Sequence, residues 1–240
     1  MIRSTNYVFK KAEELTNVEF ETASYSGVGI KTGILLTIAF VTGLISMATP
    51  LFTLRFSLLI LITTFILSLI IALSPRSARV LSIPYAILEG SLVGAITGVY
   101  NAVYTGIAST ALLLTIAIFL AGAVLYFTGV IRVTSFFRKF MYVALLGAIL
   151  GSLFIWIASL FNTEIQNIFY GNTSIAIVLS GIMVILAGLY VVISFDNTTR
   201  IVDSGLGKTY EWYAAFGILL NVIWLYLEVL RFVSYFAKRD

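Results

Sequence analysis

Long apolar runs separated by short polar links dominate this chain. They fall at roughly 30–49, 52–73, 80–101, 106–128, 138–161, 172–195 and 213–236. Each holds about 20 residues, which at about 1.5 Å rise per residue crosses a hydrocarbon core of about 30 Å as a helix. Strands of a membrane barrel would instead be short and alternate in polarity, a pattern that is absent here. Only a helix satisfies every backbone group within runs this long. The pattern therefore predicts an all-α, seven-transmembrane-helix bundle forming one domain over 30–240. A polar N-terminal tail of mixed charge precedes it over 1–29. No apolar core follows a basic start in that tail, so it does not read as a signal peptide. Thr49-Pro50 and Ser74-Pro75-Arg76 separate the first three runs, where proline cannot continue a helical ladder.

Composition reinforces this reading. The chain is 60% hydrophobic and only 11% charged, against about 25% charged in soluble domains. It has no cysteine and no histidine. Disulfides, thiolate metal sites and histidine-based triads are thereby excluded, and proton-linked behaviour falls to the carboxylates. The net charge of +4 reads as basic loops at one membrane face, not as a nucleic-acid surface.

Lysine and arginine counts set the expected orientation. The tail with Lys31, and the loops after runs 2, 4 and 6, carry eleven of them; the other side carries four, namely Arg55, Arg231, Lys238 and Arg239. The basic side is expected to face the cytoplasm, with the N-terminus inside. Seven spans then put the C-terminus outside. The Lys238-Arg239 pair speaks for an alternative, six spans and a re-entrant last segment.

Small residues mark expected helix contacts. Gly90, Gly94 and Gly98 recur every four residues in run 3, as do Gly147 and Gly151 in run 5. Such faces let backbones approach closely, within a bundle or between two copies of the chain. Monomer and weak homodimer both remain open. Tyrosines and tryptophans near the run ends, among them Tyr126, Tyr170, Trp212 and Tyr235, fit interfacial anchors.

Charged groups inside hydrocarbon are costly and need a reason. Glu89 lies mid-run without a base within two turns, so it either bonds across a helix contact as a neutral acid or lines an ion or proton path. Glu228 has Arg231 three residues on, which fits an internal ion pair, and Asn221 is seven residues earlier on the same face. Glu211 opens the last run, where an acid complements the positive end of a helix. Asp196 ends run 6, as a solvated terminator or a site residue. Arg76 and Arg79 bracket the start of run 3, either binding lipid phosphate or pairing with a carboxylate to close a pore. No zinc-protease, nucleophile-elbow or phosphate-loop motif occurs, so the chain is not expected to be an enzyme.

Two motifs carry a family resemblance: Tyr85-Ala86-Ile87-Leu88-Glu89-Gly90, and Glu211-Trp212-Tyr213-Ala214-Ala215-Phe216-Gly217 followed by Trp224 to Glu228 and Leu230-Arg231. On these the chain resembles the Bax inhibitor-1 superfamily, in a bacterial branch, over about residues 30–236. The resemblance implies a bundle with the last helix central, in a bacterial inner membrane. It also implies a pH-sensitive calcium leak. There, two carboxylates on helices 6 and 7 share a proton, and an arginine at the start of helix 3 pairs with them. Asp196 matches the first carboxylate and Arg79 or Arg76 the arginine. Asn221 stands where the second carboxylate is expected, leaving Glu228 or Glu89 as substitutes. Asp196 and Glu228 would then offer oxygens to calcium as the transported ion, with no resident cofactor. Expected partners are the bilayer, calcium or protons, and possible further membrane proteins; nucleic acid is not expected. The alternative is a regulatory protein that binds another membrane protein, such as a protease, and conducts nothing.

Overall fold

The computed structural model describes residues 21–237. Nine α-helices follow one another among these residues: α1 Tyr25–Ala48, α2 Pro50–Arg55, α3 Ser57–Leu73, α4 Ala78–Val103, α5 Ile107–Phe127, α6 Ser135–Phe161, α7 Thr163–Tyr170, α8 Ser174–Asp203 and α9 Tyr210–Ser234. A 3-10 turn, Pro75–Ser77, leads into α4. Six of the helices are long and apolar enough to cross a membrane by length and composition, and α3, at 17 residues, is shorter. Most of the N-terminal tail lies outside the described residues, as do Lys238 and Arg239.

Several boundaries differ from the sequence reading; α8 runs on through Asp196 to Asp203, so Asp196 does not terminate its helix. The first helix begins at Tyr25, not near residue 30, because Ser24 caps it by accepting a hydrogen bond from the Gly27 amide at 3.0 Å. Run 52–73 is two helices, broken at Phe56, whose amide turns back to the Thr53 carbonyl at 3.1 Å. That three-residue hydrogen bond tightens the end of α2 and starts α3 afresh. Helix α7 carries Glu164 in its first turn and is capped by Asn162; its polar residues hid it from a search for apolar runs.

The outside of the bundle is apolar, unlike the surface of a soluble protein, and polar side chains are found among the buried residues. Large apolar residues such as Leu58, Phe65, Leu113, Leu120, Val143 and Phe154 lie exposed on the outside. Thr32, Ser46, Thr64, Ser82, Thr97, Thr115, Ser180, Glu211 and Glu228 are buried inside. A surface this apolar is stable in lipid, where helices gain nothing by hiding leucine and instead bury small and hydrogen-bonding residues against one another. Helix α6 illustrates the rule: Met141 is its one buried residue.

Helix α1 packs on α4, and the glycines explain how closely. A Cβ on Gly90 would overlap Ala39, one on Gly94 would overlap the Gly43 backbone, and one on Gly98 would sit 2.8 Å from the Met47 carbonyl oxygen. By contrast nothing lies within 4 Å of a Cβ built on Gly147 or Gly151, so those two form no close helix contact among the described residues. Helix α9 packs against α8, α1, α5 and α4. It supplies Phe216 and Leu219 to one apolar cluster and Leu225, Val229 and Leu230 to another.

Gly94→Ala should lower the thermal midpoint in detergent, since overpacking typically costs about 1–3 kcal/mol. Gly147→Ala should leave it unchanged, and equal effects would contradict the packing described.

Candidate functional site

The buried acids of this chain are met by partners from other helices or from a turn away on their own, and each arrangement can be followed from the residues upward. Asp196 lies near the end of α8, its side chain 13% exposed. Arg138, from the first turn of α6, and Arg200, one turn along α8, both donate to the same oxygen, Oδ2, the latter at 2.8 Å. The Tyr126 hydroxyl lies 3.4 Å from Oδ1 and bonds Thr199 at 3.0 Å. Arg138 also donates to Asn197 Oδ1 at 2.7 Å. Arg138 thus ties α6 to α8, Arg200 adds a second guanidinium from α8 itself, and Tyr126 adds α5. The group sits at an open cleft of about 570 Å³, lined also by Tyr25, Arg132 and Thr199.

Further along the α8–α9 seam, the Asn221 amide donates to the Ser194 hydroxyl and to the Tyr190 carbonyl, the latter at 3.3 Å. The Tyr190 hydroxyl in turn donates to the Met141 carbonyl of α6 at 2.8 Å. Asn221 therefore serves as a hydrogen-bonding bridge between α9 and α8. Glu228 is two turns beyond Asn221, about 10 Å along the axis, on the side away from Asp196. Its Oε1 accepts from Trp224 at 3.1 Å. Its Oε2 lies 3.7 Å from Arg231 Nη2, too far for a hydrogen bond, and neither that oxygen nor Arg231 Nε has a hydrogen-bond partner.

Asp196 and Glu228 are therefore not brought together, and Glu89 joins neither. It sits on α4 facing the Thr64 hydroxyl of α3. Arg76 and Arg79 are exposed and make no ion pair with the described residues. The cations on Asp196 are Arg138 and Arg200 instead. Among the described residues no three acidic side chains converge on a point where a metal ion could be held.

A third group was not anticipated. Glu211 is 1% exposed and does not cap its own helix. It accepts from the Ser24 amide at 2.9 Å and the Ser24 hydroxyl at 3.0 Å, and it forms an ion pair with Lys31. Lys31 also sits 5.6 Å from the centre of the Trp212 ring. Gly27 makes room: a Cβ there would overlap the Glu211 carboxylate. Beside it, residues 21–24 pair with the α8–α9 loop through Ala23 N to Leu206 O at 2.7 Å and Lys208 N to Glu21 O at 2.8 Å. Outside the spans, Lys208 is held above the usual lysine range by its hydrogen bond to the Glu21 carboxylate and then by that charge. Lys31 inside an otherwise apolar helix was the signal in the sequence, since a buried cation calls for a buried acid.

A model of the family described as Bax inhibitor 1 like matches residues 5–238. The chain belongs to the Bax inhibitor 1 like family. No curated protein matches it with significant similarity. The family match spans α1 to α9, so the Asp196, Asn221–Ser194 and Glu211–Lys31 groups all lie within the family's own extent.

Lys31→Met leaves the Glu211 carboxylate buried without its cation, and should destabilise the bundle by about 3 kcal/mol. Adding Glu211→Gln should recover part of that loss. A double-mutant cycle on reversible unfolding in detergent reads the coupling; additive effects would contradict a shared ion pair.

Proposed function

We propose that this membrane protein is a seven-span, pH-sensitive leak for calcium or similar cations, held closed at the basic end of the bundle by Asp196. In this reading α3, short as it is, counts as a span, α9 is the central helix, and the basic end faces the cytoplasm of a bacterial cell. The observation that carries the proposal is the pair of guanidiniums on one Asp196 oxygen. Arg138 ties α6 to α8 at the mouth of an open cleft, and Arg200 joins it from α8 itself. Beneath it, Asn221 bridges α9 to α8, and Glu228 lies two turns farther along α9.

The physics gives the sign of the pH response. Ionised Asp196 attracts both guanidiniums. A proton on it removes that attraction and leaves two like charges facing each other, so acid favours parting α6 from α8. Asn221 cannot ionise, so the switch here is one carboxylate against two arginines, not two carboxylates sharing a proton. Cations passing such a seam would meet few protein oxygens at once and keep most of their water, which suits a leak better than a store.

A second reading, a regulatory protein that conducts nothing, draws on a different feature. A cavity of about 630 Å³ lies between α1, α4, α5 and α9, lined by Phe40, Gly43, Leu112 and Ile223 among others. An apolar hollow within the bundle could seat a helix of another membrane protein.

Purified protein in liposomes loaded with a calcium dye separates the two. Wild type should admit calcium faster as pH falls, and Asp196→Asn should leak severalfold faster at neutral pH with its pH response flattened. Absence of flux at every pH, or an unchanged profile for Asp196→Asn, would overturn the leak.

A further inference from the structure

The cleft beside Asp196 holds more positive charge than its own acid can balance. Arg138 and Arg200 share one carboxylate, and Arg132, which lines the cleft, is exposed with no ion pair to the described residues. Lys139 is exposed next to Arg138. The other acid nearby, Asp203, accepts a hydrogen bond from Tyr25 at 3.0 Å. Gly129 turns the chain in a left-handed conformation, φ 76°, and brings the 129–133 segment back over the cleft.

A second, independent feature surrounds it. Phe127, Val130, Phe136 and Phe140 are all exposed large apolar residues, between 57% and 78% accessible. Apolar side chains alternating with cations at the end of membrane-spanning helices fit the zone where acyl chains give way to headgroups. A soluble anion would find the charge here but have no use for these exposed apolar side chains, of which Phe127 lines the cleft itself.

We propose that this cleft binds the phosphate headgroup of an anionic membrane lipid, with Arg132 as its principal partner and the phenylalanines against its chains. Basic pockets between helices near the membrane surface are suited to such headgroups. Guanidinium is matched to phosphate because its fork donates two parallel hydrogen bonds. The lipid phosphate and the Asp196 carboxylate then compete for Arg138 and Arg200. The binding inference stands whether or not the protein conducts ions; only its effect on the lock rests on the reading above.

The full chain, purified in an uncharged detergent, can be titrated with short-chain phosphatidylglycerol, with phosphatidylcholine and with inorganic phosphate, reading bound ligand by native mass spectrometry. Phosphatidylglycerol should bind more tightly than either other probe. Arg132→Gln should weaken it about fivefold, the effect of removing one cation near an anionic headgroup, and Arg132→Lys should restore part of it. Arg55→Gln, at an exposed base outside the cleft, should change nothing. Asp196→Asn should bind more tightly, because it frees two guanidiniums. The proposal fails if phosphatidylcholine binds as well or inorganic phosphate competes at equal concentration. It fails too if Arg55→Gln matches Arg132→Gln, or if Asp196→Asn binds no better. Calcium flux is not part of this readout, so its failure and that of the leak are separable.

Discussion

An ionised carboxylate placed among apolar helices must be met by a cation or by hydrogen-bond donors, because neither lipid nor bulk water will solvate it there. In this chain the cations come from other helices or from one turn along the same helix. Lys31 crosses from α1 to Glu211 on α9, Arg138 crosses from α6 to Asp196 on α8, and Arg200 closes on Asp196 from its own helix. These pairs fix which helices can be neighbours more selectively than leucine packing does, since the surrounding lipid competes equally for every apolar face. Glu228 is met less completely, with one oxygen bonded to Trp224 and the other facing Arg231 beyond hydrogen-bond range, and among the described residues Glu89 faces only the Thr64 hydroxyl.

The two complete pairs differ in the freedom they leave. Glu211 is enclosed: Ser24 donates twice, Lys31 pairs with it, and Gly27 exists without a side chain to admit it. That group reads as a fixed joint holding the start of α1 to the start of α9. Asp196 is at the edge of a cleft, and its cations are long side chains, one of them on the otherwise loosely buried α6. A joint that can part without disturbing the core is a better place for a switch than one sealed in it.

Much of the fold was legible in the chain because lipid imposes one period and one length. The apolar runs located the long helices, and the four-residue glycine spacing in α4 located its contact with α1. In α6 the same spacing marks no contact among the described residues, where nothing lies within 4 Å of a Cβ built on Gly147 or Gly151: small residues permit a close approach but do not compel one. The break at Phe56 left no trace in hydropathy, since both sides are equally apolar. Of the site, Asp196 and Asn221 could be marked as polar groups in apolar surroundings, but their partners could not. Which arginine reaches Asp196 depends on how α6 lies across α8, and no local pattern records that; Arg138 and Arg79 are equivalent as sequence.

The central claim is that Asp196 holds α6 to α8 through its charge. Because the chain contains no cysteine, spin labels can be placed cleanly at the exposed positions Lys139→Cys and Ser204→Cys, and the distance between them followed in liposomes by electron double resonance from neutral to acidic pH. The account predicts one short distance at neutral pH that gives way to a longer one on acidification, with Asp196→Asn already long at neutral pH. A single distance that is the same at every pH, and the same in the variant, would contradict it.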